Sequence, residues 1–319
     1  MIELQGVTKR YGEHLAVNDL SFTVKSGVVT GFLGPNGAGK TTTMRLILGL
    51  ATPTAGTALI DGQLFRQTAD PLHEVGALLD AGALQGRRTI RNHLLWLAQS
   101  GGMGKARVTE MLELVGLSSV ADRQCRGLSL GMRQRLGIAG ALLGDPKTLL
   151  FDEPVNGLDP DGVAWIRNLM RSLAADGRTV FLSSHLMSEM QNTADALVVI
   201  GRGKLIADCA TDEFIDAHTE HKVQVRTPQA DALTAAVTQA GGRVTQEADG
   251  MLTVHGIDAQ RIGDLAFEAG ARLYALIPER GTLEDAYMET TASEVEFQAG
   301  VPAQHASNGH LNTSAGKGA

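Results

Sequence analysis

Gly34-Pro35-Asn36-Gly37-Ala38-Gly39-Lys40-Thr41 decides how the rest of the chain is read. The stretch matches GxxxxGK[ST], follows an apolar strand-like run at residues 28–33, and precedes Thr42 and a segment that puts Met44, Ile47 and Leu48 on one helical face. Strand, loop and helix thus come in the order a phosphate-binding loop requires. Glycines at 34, 37 and 39 let the backbone curl until successive N–H groups, with the helix N-terminus behind them, point at phosphate oxygens. In such a loop Lys40 bridges the β- and γ-phosphates of a nucleoside triphosphate and the Thr41 hydroxyl ligates Mg²⁺. A glycine-rich turn that merely precedes a helix is the plainer alternative, and the flanking strand and helix argue against it.

Outward from the loop, short apolar runs at residues 2–7 and 22–24 come before it, and runs at 148–151, 179–183 and 196–200 alternate with helical patterns after it. This alternation predicts an α/β fold with a largely parallel sheet. Between about residues 84 and 145 the period changes. Val108, Met111, Leu112 and Val115 fall at i, i+3, i+4 and i+7, which predicts a helical insert. Thr148-Leu149-Leu150-Phe151-Asp152-Glu153 reads as a central strand ending in two acids at its C-terminal edge, where open α/β sheets bind ligands. Asp152 suits Mg²⁺ held through its water shell, and Glu153 suits a general base acting on the attacking water. A solvated acidic turn would leave the loop without a metal partner.

The chain has 319 residues, 43% hydrophobic and 20% charged, enough for a sizeable core and about two domains. Its net charge of −7 argues against a protein built to grip nucleic acid, which presents a basic face. Two cysteines, Cys125 and Cys209, are too few for a disulfide framework and lack zinc-site spacing, so reduced thiols in a cytoplasmic protein are expected. No run approaches the roughly 18 apolar residues of a membrane span, and Met1-Ile2-Glu3-Leu4-Gln5 lacks the basic and apolar regions of a leader. The chain is therefore not expected to enter the membrane itself.

Between the loop and the paired acids lies Leu128-Ser129-Leu130-Gly131-Met132-Arg133-Gln134-Arg135, and with it the chain resembles the ABC ATPase family, whose signature is usually written LSGGQ. Alone, Leu-Ser-x-Gly is no more than a helix cap; between the other two motifs it is specific. Asn156-Gly157-Leu158-Asp159-Pro160 resembles the family's D-loop, and Ser183-Ser184-His185 its switch histidine, which contacts the γ-phosphate. Tyr11 stands where the family places an aromatic ring that stacks on adenine. The resemblance implies two copies closing head to tail on two ATP molecules. Ser129 and Gly131 of one copy would cap the γ-phosphate held by residues 34–42 of the other. It also implies an antiparallel β subdomain beside the P-loop NTPase sheet. The signature's Leu130 and Met132 replace Gly and Gln, a mild departure because backbone donors can do the capping. A larger one is Asp80, which aligning on residues 75–79 puts where many members have a glutamine that touches Mg²⁺ and the membrane partner. Asp80 is thus either an acid of the metal shell or an ordinary loop acid.

The resemblance covers about residues 1–215, read as the ATPase domain. Residues 216–299 read as a smaller α+β domain, with strand candidates at 222–225 and 251–254 among Ala-rich helical stretches, and residues 300–319 as a disordered tail. Residues 281–289 look like the closing helix of ATPase subunits from drug and polysaccharide exporters, which work with a separate six-helix permease. What the resemblance implies is an exporter motor for drug, antibiotic or lipid-like cargo, peripheral on the cytoplasmic face of the membrane through that permease. The rival class, a soluble ABC ATPase acting on nucleic acid or ribosomes, usually carries two cassettes or a cassette split by coiled coils, and neither occurs here. Kinases and GTPases have no task for the signature or the D-loop.

Overall fold

The computed structural model describes residues 1–220, 222–247 and 250–291; the tail expected at 300–319 lies outside the described residues. Alternating burial along β1 (Ile2–Tyr11) and β2 (His14–Val24) sets Ile2, Leu4 and Val7 opposite Val24, Phe22 and Leu20 in an antiparallel pair. The wholly buried β3 (Val29–Leu33) leads through the glycine-rich loop into α1 (Lys40–Ile47). β4 (Ala55–Ile60) then returns to the free edge of β1, giving a three-stranded antiparallel sheet of order β2-β1-β4.

A short α2 (Pro71–Glu74) feeds β5 (Val75–Leu78), after which α3 (Ile90–Ser100), α4 (Lys105–Leu114) and α5 (Leu130–Leu142) form the helical insert. Val108, Met111, Leu112 and Val115 are all buried in it, on the face their spacing predicts. Gly137 lets α5 lie close on β5, since a Cβ there would meet Leu78 Cδ1 at 2.5 Å.

From here strand and helix alternate: β6 (Thr148–Asp152), α6 (Pro160–Ala175), β7 (Thr179–Ser183), α7 (Met187–Thr193), β8 (Ala196–Gly201) and β9 (Lys204–Ala210). The six-stranded sheet runs β5-β6-β7-β3-β8-β9, parallel except for β9. Its central strands are buried on both faces, hence their unbroken apolar runs; Phe32 and Phe181 stack with centroids 4.9 Å apart. Because β7 lies between β6 and β3, the C-terminal ends of these three strands bring Asp152, Ser183 and the loop to one edge.

After α8 (Thr211–His218) come β10 (Lys222–Arg226), α9 (Ala230–Gln239), β11 (Arg243–Gln246), β12 (Leu252–His255), α10 (Ala259–Glu268) and β13 (Ala275–Glu279). They form an antiparallel sheet of order β11-β12-β10-β13, a split βαβ arrangement in which each helix joins two strands with a third between them. Its core, with Val223, Val225, Leu233, Val254 and Ile262, is separate from the rest. Pro278 fits β13 because an edge strand tolerates a missing donor. α11 (Leu283–Thr291) returns to the first unit, burying Leu283, Ala286 and Tyr287 in the same core as Phe214 and Ile215 of α8. Among the described residues no helix is long and apolar enough to cross a membrane.

Candidate nucleotide-hydrolysis site

The loop curls as its glycines suggest. Gly37 and Gly39 have φ of 85° and 102°, and a Cβ on Gly39 would lie 2.4 Å from the Ala16 carbonyl oxygen. Gly34 is pinned from the other side, where a Cβ would meet Ile200 O at 2.6 Å. Lys40 is 9% exposed and folds back, its Nζ donating to Gly34 O at 2.5 Å and Pro35 O at 3.3 Å. Burial holds its ammonium below the ordinary lysine range, against the Glu153 and Asp152 carboxylates, which pull the other way.

Asp152 is held at both oxygens. Thr41 Oγ1 donates to Oδ2 at 2.7 Å and Ser183 Oγ donates to Oδ1 at 2.5 Å. The strand register produces the second contact, since Asp152 and Ser183 are direct partners across β6 and β7. A hydroxyl beside a carboxylate at the head of a phosphate-binding loop is an all-oxygen donor set, which fits Mg²⁺.

Glu153 takes an unusual backbone conformation, φ of 52°, in the left-handed region that costs a non-glycine residue about 1–3 kcal/mol. Its N–H donates to Ser183 O and Oγ, at 3.2 and 3.1 Å, and its carbonyl accepts from Gln134 Nε2 at 3.0 Å. The carboxylate turns toward His185, whose Nδ1 lies 2.7 Å from Oε2 and whose backbone N–H reaches the same oxygen at 3.3 Å. Facing a carboxylate, Nδ1 carries the hydrogen.

Lys40, Thr41, Asp152 and Glu153 border a cleft of about 450 Å³ that takes in residues Pro35, Asn36, Gly37, Ala38, Gly39, Lys40, Thr41 and Thr42. Asp152 and Glu153 close one side, and Tyr11, His14 and Leu79 the others. Tyr11, 47% exposed, presents its ring at the rim with Lys9 Nζ 4.7 Å from the centroid.

Five predicted residues do not line the cleft: Gly34 and His185, which bond to Lys40 and Glu153 at its wall, and Ser129, Gly131 and Asp80. Ser129 caps α5, its Oγ accepting from Met132 N at 3.3 Å, and Gly131 packs on the turn at Gly157, where a Cβ would meet Gly157 O at 2.8 Å. Asp80, past the end of β5, spends Oδ1 on the Gly82 N–H at 2.6 Å in a tight local turn and does not line the cleft. Ser183, Gln134, His14 and Leu79 enter the site without having been singled out by sequence. A hydroxyl in the stretch 183–185 was the only signal for Ser183, and nothing in the spacing marks Gln134.

An "ABC transporter" family description matches residues 17–156, and a domain of unknown function matches residues 221–284. The uncharacterized ABC transporter ATP-binding protein YhcH of Bacillus subtilis is 36% identical over 93% of this chain and 97% of its own. The Nod factor export ATP-binding protein I of Cupriavidus metallidurans is 33% identical over 92% and 98%, and the bacitracin transport ATP-binding protein BcrA of Bacillus licheniformis 41% identical over 67% and 71%. Among solved structures, an ATP-binding subunit of an ABC transporter superposes with a TM-score of 0.63 at 26% identity, covering 68% of this chain and 92% of its own. A bacterial ABC transporter cassette solved as a dimer gives 0.60 at 27%, covering 66% and 98%. Aligned along nearly its full length with such a relative, and holding an acid pair and a histidine around one glycine-rich loop, the chain belongs to the ABC transporter ATP-binding proteins and is an ATPase.

Proposed function

We propose that this chain hydrolyses MgATP as one of two copies that close head to tail, and that closure moves a separate permease exporting drug, antibiotic or lipid-like cargo. The observation that carries the catalytic part is the His185–Glu153 contact beside the Thr41–Asp152 pair at the head of α1.

When ATP enters, Lys40 exchanges the Gly34 and Pro35 carbonyls for phosphate oxygens, so its charge moves from backbone dipoles to a polyanion. Tyr11 stacks on the base. Thr41 and Asp152 would hold Mg²⁺, which neutralises charge developing on the phosphates. Glu153 takes a proton from the attacking water, and His185 keeps its carboxylate aimed. Ser183 fixes the strand ends on which both acids stand.

Ser129 and Gly131 have no ligand role within the cleft of their own chain, which supports a role across the interface with a second copy. A helix N-terminus there meets an anion held by the partner loop. The bacitracin transport and Nod factor export names of the relatives support the exporter reading. With no spanning helix among the described residues, attachment to the cytoplasmic face of the membrane would run through the permease, seated on the helical insert.

Two measurements test this. ATP turnover per molecule should rise with protein concentration through the range in which dimers form; constant specific activity in a protein that stays monomeric contradicts the pairing. An affinity-tagged chain should recover a protein of about six membrane helices from detergent-solubilised membranes, and a purely soluble ribosomal or nucleic-acid complex would overturn the transporter assignment.

A further inference from the structure

We propose that Gln134 is a positioning residue for hydrolysis: its side-chain amide, carried on α5, holds the Glu153 carbonyl and ties the seating of that helix to the aim of the Glu153 carboxylate. This rests on Glu153 acting as the general base.

Gln134 is 5% exposed, and its Nε2 donates to Glu153 O at 3.0 Å. A carbonyl only accepts, so the end of the amide that faces it is the NH₂ group. The opposite end, Oε1, is buried and has no hydrogen-bond partner. A leucine or methionine would fill this space without stranding a buried acceptor, so nothing but the NH₂ contact accounts for an amide here.

The group it holds needs holding. Glu153 sits at φ of 52°, a conformation that persists only where the surroundings over-determine it. Its N–H is tied to Ser183 on β7, within the rigid parallel sheet. Its C=O is tied to α5, the helix that starts at the Ser129 cap. Gln134 lies about one helical turn beyond Leu130 and Gly131, so a shift of the α5 N-terminus reaches the Glu153 peptide through a single rigid turn. Opening and rotating that peptide swings the carboxylate away from His185. The signature segment therefore has two outputs: what it meets at its own N-terminus, and where the general base of its own chain points.

The test uses the full-length chain. Gln134→Leu should lower kcat by about 10- to 100-fold, the cost of a small misplacement of a reacting group, with the KM for ATP and the melting temperature close to wild type. Added to Glu153→Gln, the same change should cause no further loss, because a residue acting through Glu153 has nothing left to aim. The near-isosteric Gln134→Glu can donate only while protonated, so its rate relative to wild type should fall as pH rises through the carboxyl pKa.

An unchanged kcat in Gln134→Leu overturns the proposal. So does a loss that multiplies fully in the Glu153→Gln background, or a flat Gln134→Glu ratio across pH, since either marks a structural role independent of the base. Wild-type turnover in Glu153→Gln alone is a different result: it removes the general-base assignment, and the proposal falls with it.

Discussion

His185 grips Glu153 at one oxygen twice, with Nδ1 at 2.7 Å and the backbone N–H at 3.3 Å from Oε2. Two donors from one residue fix both the direction and the rotation of the carboxylate, which is what a base needs if it is to meet a water at one place. The carboxylate would otherwise hang from a strained peptide at φ of 52°. The residue is thus held at both ends, by His185 at the carboxylate and by Ser183 and Gln134 at the peptide.

Glu153→Gln should bind ATP as wild type does and release phosphate about 10²- to 10⁴-fold more slowly, since the amide holds the geometry but takes no proton. Measuring nucleotide affinity and phosphate release on the same preparation separates the two. His185→Ala should lower turnover by about 10- to 100-fold with little change in affinity; a variant as fast as wild type removes His185 from the reaction.

Lys40 gives a pH dependence with a definite sign. Its pKa is lowered chiefly by burial, while phosphates bound beside it would favour the charged form and raise it. Binding therefore takes up a proton once pH exceeds the free-state pKa, and affinity falls as pH rises from there toward the ordinary lysine value of about 10.4. Titration calorimetry in two alkaline buffers of different ionisation enthalpy should show proton uptake. No uptake in that window means the lysine was fully charged before ATP arrived.

Gly39→Ala should unfold the loop's geometry. Its φ of 102° is a region side chains rarely adopt, and the new Cβ would stand 2.4 Å from Ala16 O. A loss of at least about 1–3 kcal/mol is expected from the backbone alone, seen as a lower melting temperature together with lost nucleotide binding. Full stability with full binding would mean that β2 and the loop can separate without cost.

Asp80→Asn separates two roles for one acid. Asparagine can keep the turn that Oδ1 makes with Gly82 N but loses the charge a metal shell would use. Turnover within about twofold of wild type, at an unchanged Mg²⁺ requirement, is the outcome the structure favours, as for substitutions away from buried or functional contacts. A raised Mg²⁺ requirement would return Asp80 to the metal site.

The sequence by itself determined the loop, the acid pair at a strand end, the helical insert and the split between a nucleotide-binding part and a smaller C-terminal part. These are local properties: a glycine where φ must be positive, a period of 3.6 at Val108, Met111, Leu112 and Val115, an apolar run closed by Asp152 and Glu153. The tertiary structure alone decided that Ser183 stands opposite Asp152, 31 residues away, because strand order and register are set by which apolar faces bury together. It decided that Gln134 meets the Glu153 carbonyl, that Glu153 is left-handed, that Asp80 turns to its own loop, and that α11 folds back beside α8. The loop could be read because its chemistry lies in consecutive residues; what aims its acids could not, because those contacts exist only once β6, β7 and α5 have packed.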